Sequence, residues 1–97
     1  MLNGKQRAYL KSLANDLDTT VYVGKNELTA ETLHEMDNYL TAHELVKVKV
    51  QEGAELLPKD AANQAAAALQ AEYVQTIGRR FVLYRANEED PQIHLPR

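Results

Sequence analysis

The run Leu45-Val46-Lys47-Val48-Lys49-Val50 limits the fold more than any other stretch. In an extended chain Val46, Val48 and Val50 point to one side, and Leu45, Lys47 and Lys49 to the other. One face of this strand is therefore buried, and the opposite face is expected to be wet and positive. Lysines also protect exposed strand edges from pairing with other chains. That protective role is the simpler explanation for the pair.

Helical periodicity surrounds the strand. Leu10, Leu13, Ala14 and Leu17 recur at i, i+3, i+4 and i+7, so a helix is expected from Asn3, its cap, to about Asn15. Thr20–Val23 reads as a short strand. A second helix runs from Thr29 to about Ala42 and buries Leu33, Met36 and Leu40, with Tyr39 and His43 at the border. Pro58 suits the first turn of a third helix, continuing from Lys59 to Leu69 and rich in alanine. Tyr73–Ile77 and Arg80–Arg85 read as strands joined by Gly78-Arg79, a two-residue hairpin turn.

The order is helix, strand, helix, strand, helix, strand, strand. Strands joined through helices run parallel, and the closing hairpin makes the fourth antiparallel. The expected fold is α/β, a four-stranded mixed sheet packed with helices. The 97 residues are read as one domain, 1–97, with residues 87–97 as a polar tail.

With no cysteine, disulfides, thiol nucleophiles and Cys-ligated metals are excluded. His34 and His43 lack a second ligand at metal spacing and His94 is read as an exposed residue of the tail, so no metal or cofactor is expected. Ser12 is the only serine, and no nucleophile–base pair or phosphate-loop lysine motif points to an enzyme or a small-molecule substrate. No apolar run spans a membrane, and no signal-peptide segment opens the chain, which favours a cytoplasmic protein and, by default, a monomer.

The first strand leads into Gly24-Lys25-Asn26-Glu27, then Leu28 and Thr29, which caps the second helix. Gly24 is read as the residue that lets the chain turn. Backbone N–H groups at a turn entering a helix, with Lys25 and Asn26 at the tip, suit a phosphate. A solvated turn whose glycine serves only shape is the plainer reading.

Net charge is −3, which argues mildly against a nucleic-acid partner. The cations are nonetheless grouped. Lys5, Arg7 and Lys11 fall in residues 1–15, Lys47 and Lys49 in 45–50, and Arg79, Arg80 and Arg85 in 73–87, with no acid in any of these stretches. Patches of one sign matter more to an anionic partner than the total.

Several blocks in order carry a family resemblance: Lys5-Gln6-Arg7; Val21 to Asn26; Leu28-Thr29; His43 to Val50; Val74 to Arg85; and Ile93-His94-Leu95-Pro96. The chain resembles the bacterial YhbY-like proteins, stand-alone CRM domains of RNA splicing and ribosome maturation. The resemblance implies a fold similar to the C-terminal domain of a bacterial translation initiation factor. It also implies RNA binding and association with precursors of the large ribosomal subunit. The family's turn is a Gly-x-x-Gly loop, compared with the loop by which KH domains clamp RNA. Gly24, Lys25 and Asn26 match it, whereas Glu27 stands where the second glycine would be. A carboxylate there repels phosphate, so Glu27→Gly is expected to tighten RNA binding.

Two functional readings follow. In the first, the protein is a non-catalytic RNA-binding module. Its contacts are Gly24, Lys25 and Asn26, with Lys5, Arg7, Lys11, Lys47, Lys49, Arg79, Arg80 and Arg85 as the attracting charges. In the second, it is an adaptor whose acidic second helix (Glu31, Glu35, Asp37) docks ribosomal or other basic proteins. Tyr22, Tyr73 and Tyr84 offer stacking surfaces, but buried sheet positions explain strand tyrosines more simply.

Overall fold

In the computed structural model, which describes residues 2–25 and 28–97, apolar periodicity is met on both sides of one sheet. The elements are α1 (Gly4–Ala14), β1 (Val21–Val23), α2 (Ala30–His43), β2 (Leu45–Val50), α3 (Pro58–Leu69), β3 (Glu72–Ile77) and β4 (Arg80–Tyr84). This is the expected order, and each boundary lies within about two residues of its expected place, the usual uncertainty at element ends.

Helix starts follow local chemistry. The Asn3 side chain accepts from the Gln6 backbone N–H at 2.8 Å, and the Gln6 side chain accepts from the Asn3 N–H at 3.2 Å, forming a reciprocal cap. Thr29 Oγ1 accepts from the Thr32 N–H at 3.1 Å. Pro58 occupies the first turn of α3, where its missing N–H costs nothing.

The strands lie in the order β1-β2-β4-β3. β1 is parallel to β2, and β4 is antiparallel to both β2 and β3. The hairpin folds its last strand into the middle of the sheet. Gly78 supplies φ +60 at the first turn position, while Arg79 keeps a negative φ, the arrangement of a type II′ turn. Because β2 is flanked on both sides, Lys47 and Lys49 do not guard an edge; β1 and β3 are the edges. Gly24 is not at positive φ either. The glycines that need that region are Gly53 and Gly78.

The sheet separates two apolar clusters. On one face Val21, Val23, Val46, Val48, Val50, Phe81 and Leu83 pack against Met36 and Leu40 of α2 and Ala61, Ala62 and Ala65 of α3. The small alanines let α3 approach closely. On the other face Leu45, Val74, Val82 and Tyr84 lie under Leu10 and Ala14 of α1, with Leu2. Leu45 is therefore covered, contrary to the expectation of a uniformly wet face: α1 shields that end of β2 and leaves the end bearing Lys47 and Lys49 less covered.

Residues 87–97 contain no helix or strand, yet they are docked. Ile93 and Leu95 pack against the α1-side cluster, and the Gln6 side chain donates to the Pro96 carbonyl at 3.1 Å. Glu44, fully buried, is the anchor. Its Oε2 accepts from the Asn87 N–H at 2.7 Å, and its Oε1 from the Gln92 and Ile93 N–H groups at 2.6 and 2.7 Å. Burial alone pushes its pKa up; the three donors, aided by His94, more than reverse this and hold it below the ordinary value.

Candidate nucleic-acid interface

The site is built from strand register. Tyr22 on β1 is opposite Lys49 on β2, Lys49 is opposite Arg80 on β4, and Arg80 is opposite Ile77 on β3. Directly opposed residues point to the same face. One row therefore crosses the sheet, about 14 Å at the usual strand spacing. Tyr22 is 62% exposed and Ile77 65% exposed, and Arg80 is also exposed. A second row, Lys47–Val82–Gln75, lies one step closer to α1.

A bulge makes the pattern possible. Tyr73 pairs with Leu83 but Gln75 pairs with Val82, so Val74 is an extra residue in β3. One inserted residue reverses which face the rest of a strand presents. Gln75 and Ile77 thereby share the face of Lys47, Lys49 and Arg80. Helix α1 lies on this same face. Arg7, Lys11 and Asn15 follow one another at i, i+4 and i+8, so they form one ridge along the helix. Asn15 borders a recess with Lys47 and Arg80, which places that ridge beside the open part of the sheet.

The cations differ in what holds them. Arg80 donates from Nε to Thr19 Oγ1 at 3.1 Å, and its terminal nitrogens have no partner among the described residues. Lys5, Lys11, Lys25, Lys47 and Lys49 form no ion pair there either. Arg79 is tied to backbone, donating to Val50 O at 3.0 Å and Gln51 O at 2.8 Å. Arg7 is half-buried, and its Nε has no partner among the described residues.

Arg85 stands apart from the group. It shares a face with Phe81 and Leu83, and its guanidinium joins α2 to the end of α3. It pairs with Asp37 Oδ1 at 2.8 Å and donates to Leu69 O at 3.0 Å, Asp37 O at 3.1 Å and Thr41 Oγ1 at 3.0 Å. That network is structural. Arg85→Ala should cost about 1–3 kcal/mol of stability, read from denaturant midpoints, while leaving the salt dependence of nucleic-acid binding unchanged.

At the end of β1, Lys25 is exposed and its stem runs beside Gly53, where an added Cβ would meet Lys25 Cε at 3.8 Å. Asn26 and Glu27, on which the turn's fit to phosphate depends, lie outside the described residues. Sequence reasoning misplaced Tyr22 among the buried tyrosines. Tyr84 is buried and Tyr73 half-buried, its hydroxyl 2.7 Å from Thr76 Oγ1, whereas Tyr22 faces solvent. Acids border the open face without entering its two rows: Asp16 and Asp18 in the α1–β1 connection, and Glu52 beside Tyr22 and Lys49.

A family model described as the CRS1/YhbY (CRM) domain matches residues 2–85. The chain belongs to the CRS1/YhbY (CRM) domain family. Two relatives match over nearly their whole length. An RNA-binding protein of Haemophilus influenzae is 45% identical over 99% of this chain and 96% of its own. The "Probable RNA-binding protein YqeI" of Bacillus subtilis is 36% identical over 99% of this chain and 100% of its own. The solution structure of SAV1595 from Staphylococcus aureus superimposes with a TM-score of 0.81 at 35% identity, covering 99% of this chain and 100% of that one. The three-helix, four-stranded arrangement of this CRM chain is thus shared with a solved structure. Within that frame, the half-covered sheet face carries Lys47, Lys49 and Arg80.

Proposed function

We propose that this CRM protein binds RNA on the open half of its α1-side sheet face, without catalysing a reaction. The observation that carries the reading is the row Tyr22–Lys49–Arg80–Ile77, exposed except for the half-buried Lys49, in a chain whose net charge is −3. An overall acidic protein that gathers cations without ion pairs among the described residues beside an exposed aromatic ring offers phosphates a local attraction and bases a stacking surface. The ridge Arg7–Lys11 extends the positive surface along α1, and Lys25 extends it past the end of β1. Relatives named for RNA binding support the same reading.

The finer role follows the family resemblance: association with precursors of the large ribosomal subunit during assembly, in the cytoplasm. Phosphate contacts position RNA without reading its sequence. The particle's shape and neighbouring proteins would then supply selectivity. Sedimentation of a cell lysate tests this role. The protein should travel with large-subunit precursors; finding it only with free protein complexes would favour the adaptor reading through α2.

Lys25→Glu tests the turn. It should weaken RNA binding several-fold in a fluorescence anisotropy titration and reduce the salt slope by about 1. An unchanged isotherm would remove the turn from the contact surface.

A further inference from the structure

Between the C-terminal end of α1 and the sheet lies a recess of about 140 Å³, lined by Asn15, Lys47, Gln75, Ile77, Arg80 and Val82. Drug-sized ligands occupy pockets of roughly 300–1,000 Å³. A single planar ring system fits this space, and a folded helix of RNA does not.

The lining is matched to a ring with polar edges. Val82 is buried and Ile77 exposed, so the two give an apolar surface from within the recess to its rim. Gln75 and Asn15 bring amides, each able to donate and accept. Lys47 and Arg80 bring donors, and the terminal nitrogens of Arg80 are uncommitted among the described residues. The β3 bulge is what turns Gln75 and Ile77 toward this face. Arg80 and Lys49 continue the same row outward to Tyr22, so a phosphate chain crossing the cations passes the mouth of the recess.

We propose that the recess receives one unpaired base of the bound RNA, so that the protein selects single-stranded or bulged segments over continuous duplex. Pairing occupies the edges that Asn15 and Gln75 would contact, and stacking keeps a paired base out of reach. Positive charge on the same face supplies the complementarity to the strand carrying that base. This inference rests on RNA binding at the open face and adds to it a preference that charge alone does not produce.

The test compares three probes of equal length and 5′ label at one salt concentration: an unstructured oligoribonucleotide, an abasic ribose-phosphate oligomer, and a continuous RNA duplex. The unstructured strand should bind about ten-fold more tightly than the abasic oligomer, the size expected for one well-held base. Gln75→Ala and Ile77→Ala should each lose most of that advantage while the abasic oligomer binds as before, with far-ultraviolet circular dichroism verifying the fold. Equal binding of intact and abasic strands, or tighter binding of duplex, would overturn the base site and leave RNA binding at the face intact. Binding of none of the three would overturn both.

Discussion

Replacing Lys49 and Arg80 together by glutamate is expected to weaken RNA binding by about 100-fold or more near physiological salt. The two residues are direct cross-strand partners at the centre of the row Tyr22–Lys49–Arg80–Ile77. Each substitution changes the local charge by two, and neither side chain has a carboxylate partner to lose among the described residues. The folded protein should tolerate the change, because Arg80 is exposed and Lys49 only half-buried. Losing two attracting charges and gaining two repelling ones removes contacts of the kind that dominate affinity for nucleic acid. Anisotropy titrations with a fixed single-stranded RNA would measure the loss, and a matched urea melt would verify folding. Wild-type affinity in the folded double variant would place the RNA elsewhere.

The second large effect concerns stability rather than binding. Glu44→Gln should cost about 2–4 kcal/mol, since hydrogen bonds to charged acceptors are the strong ones and stranded buried donors are costly. The carboxylate accepts three backbone N–H groups from residues 87, 92 and 93, and a neutral amide presents an N–H where one acceptor was. For a domain of ordinary stability this is a large fraction of the total. Hydrogen exchange at those three amides should accelerate most.

The same group sets an acid response. Glu44 titrates below its ordinary value in the folded protein. The unfolded state therefore takes up its proton first as pH falls. The stabilisation is complete above the unfolded carboxyl pKa of roughly 4.3, and it is lost as pH drops through the lower folded value. Wild type should lose stability over that interval, and Glu44→Gln should lose less. Coincident midpoints for the two proteins at neutral pH would contradict this account of the tail.

Much of the architecture is legible in residue order. Asn3 and Thr29 mark their helices, the Leu10–Leu17 stripe marks a buried face, and alternation fixes β2 at Leu45–Val50. Those signals are local, and local sterics decide them. Strand order is not local. The Gly78-Arg79 turn dictates that β4 is antiparallel to β3, but only packing shows that β4 also pairs with β2.

The candidate site was partly visible for the same reason. Lys47 and Lys49 announce a face, and periodicity puts Arg7 and Lys11 on one helical ridge. What leaves that face open is how far α1 extends across the sheet, which no single residue encodes. Tyr22 was therefore misread as buried. The Val74 bulge decides where Gln75 and Ile77 point, and nothing in Tyr73–Ile77 distinguishes a bulged strand from a regular one. Glu44 adopts φ +68, a conformation costly for a residue with a Cβ, so propensity argues against it; its three N–H partners supply the compensation. Arg85 reads in sequence like its cationic neighbours, and it is its bonds to Asp37, Thr41 and Leu69 O that separate it from them.

The most direct measurement is the salt dependence of RNA affinity for the wild-type protein and for a variant with Lys47, Lys49 and Arg80 all changed to alanine. If the open sheet half carries the RNA, the wild-type logarithm of affinity falls linearly with the logarithm of salt, and the variant's slope is shallower by about 2 for a single strand. A wild-type affinity indifferent to salt, or a variant with an unaltered slope, would contradict the assignment of this face.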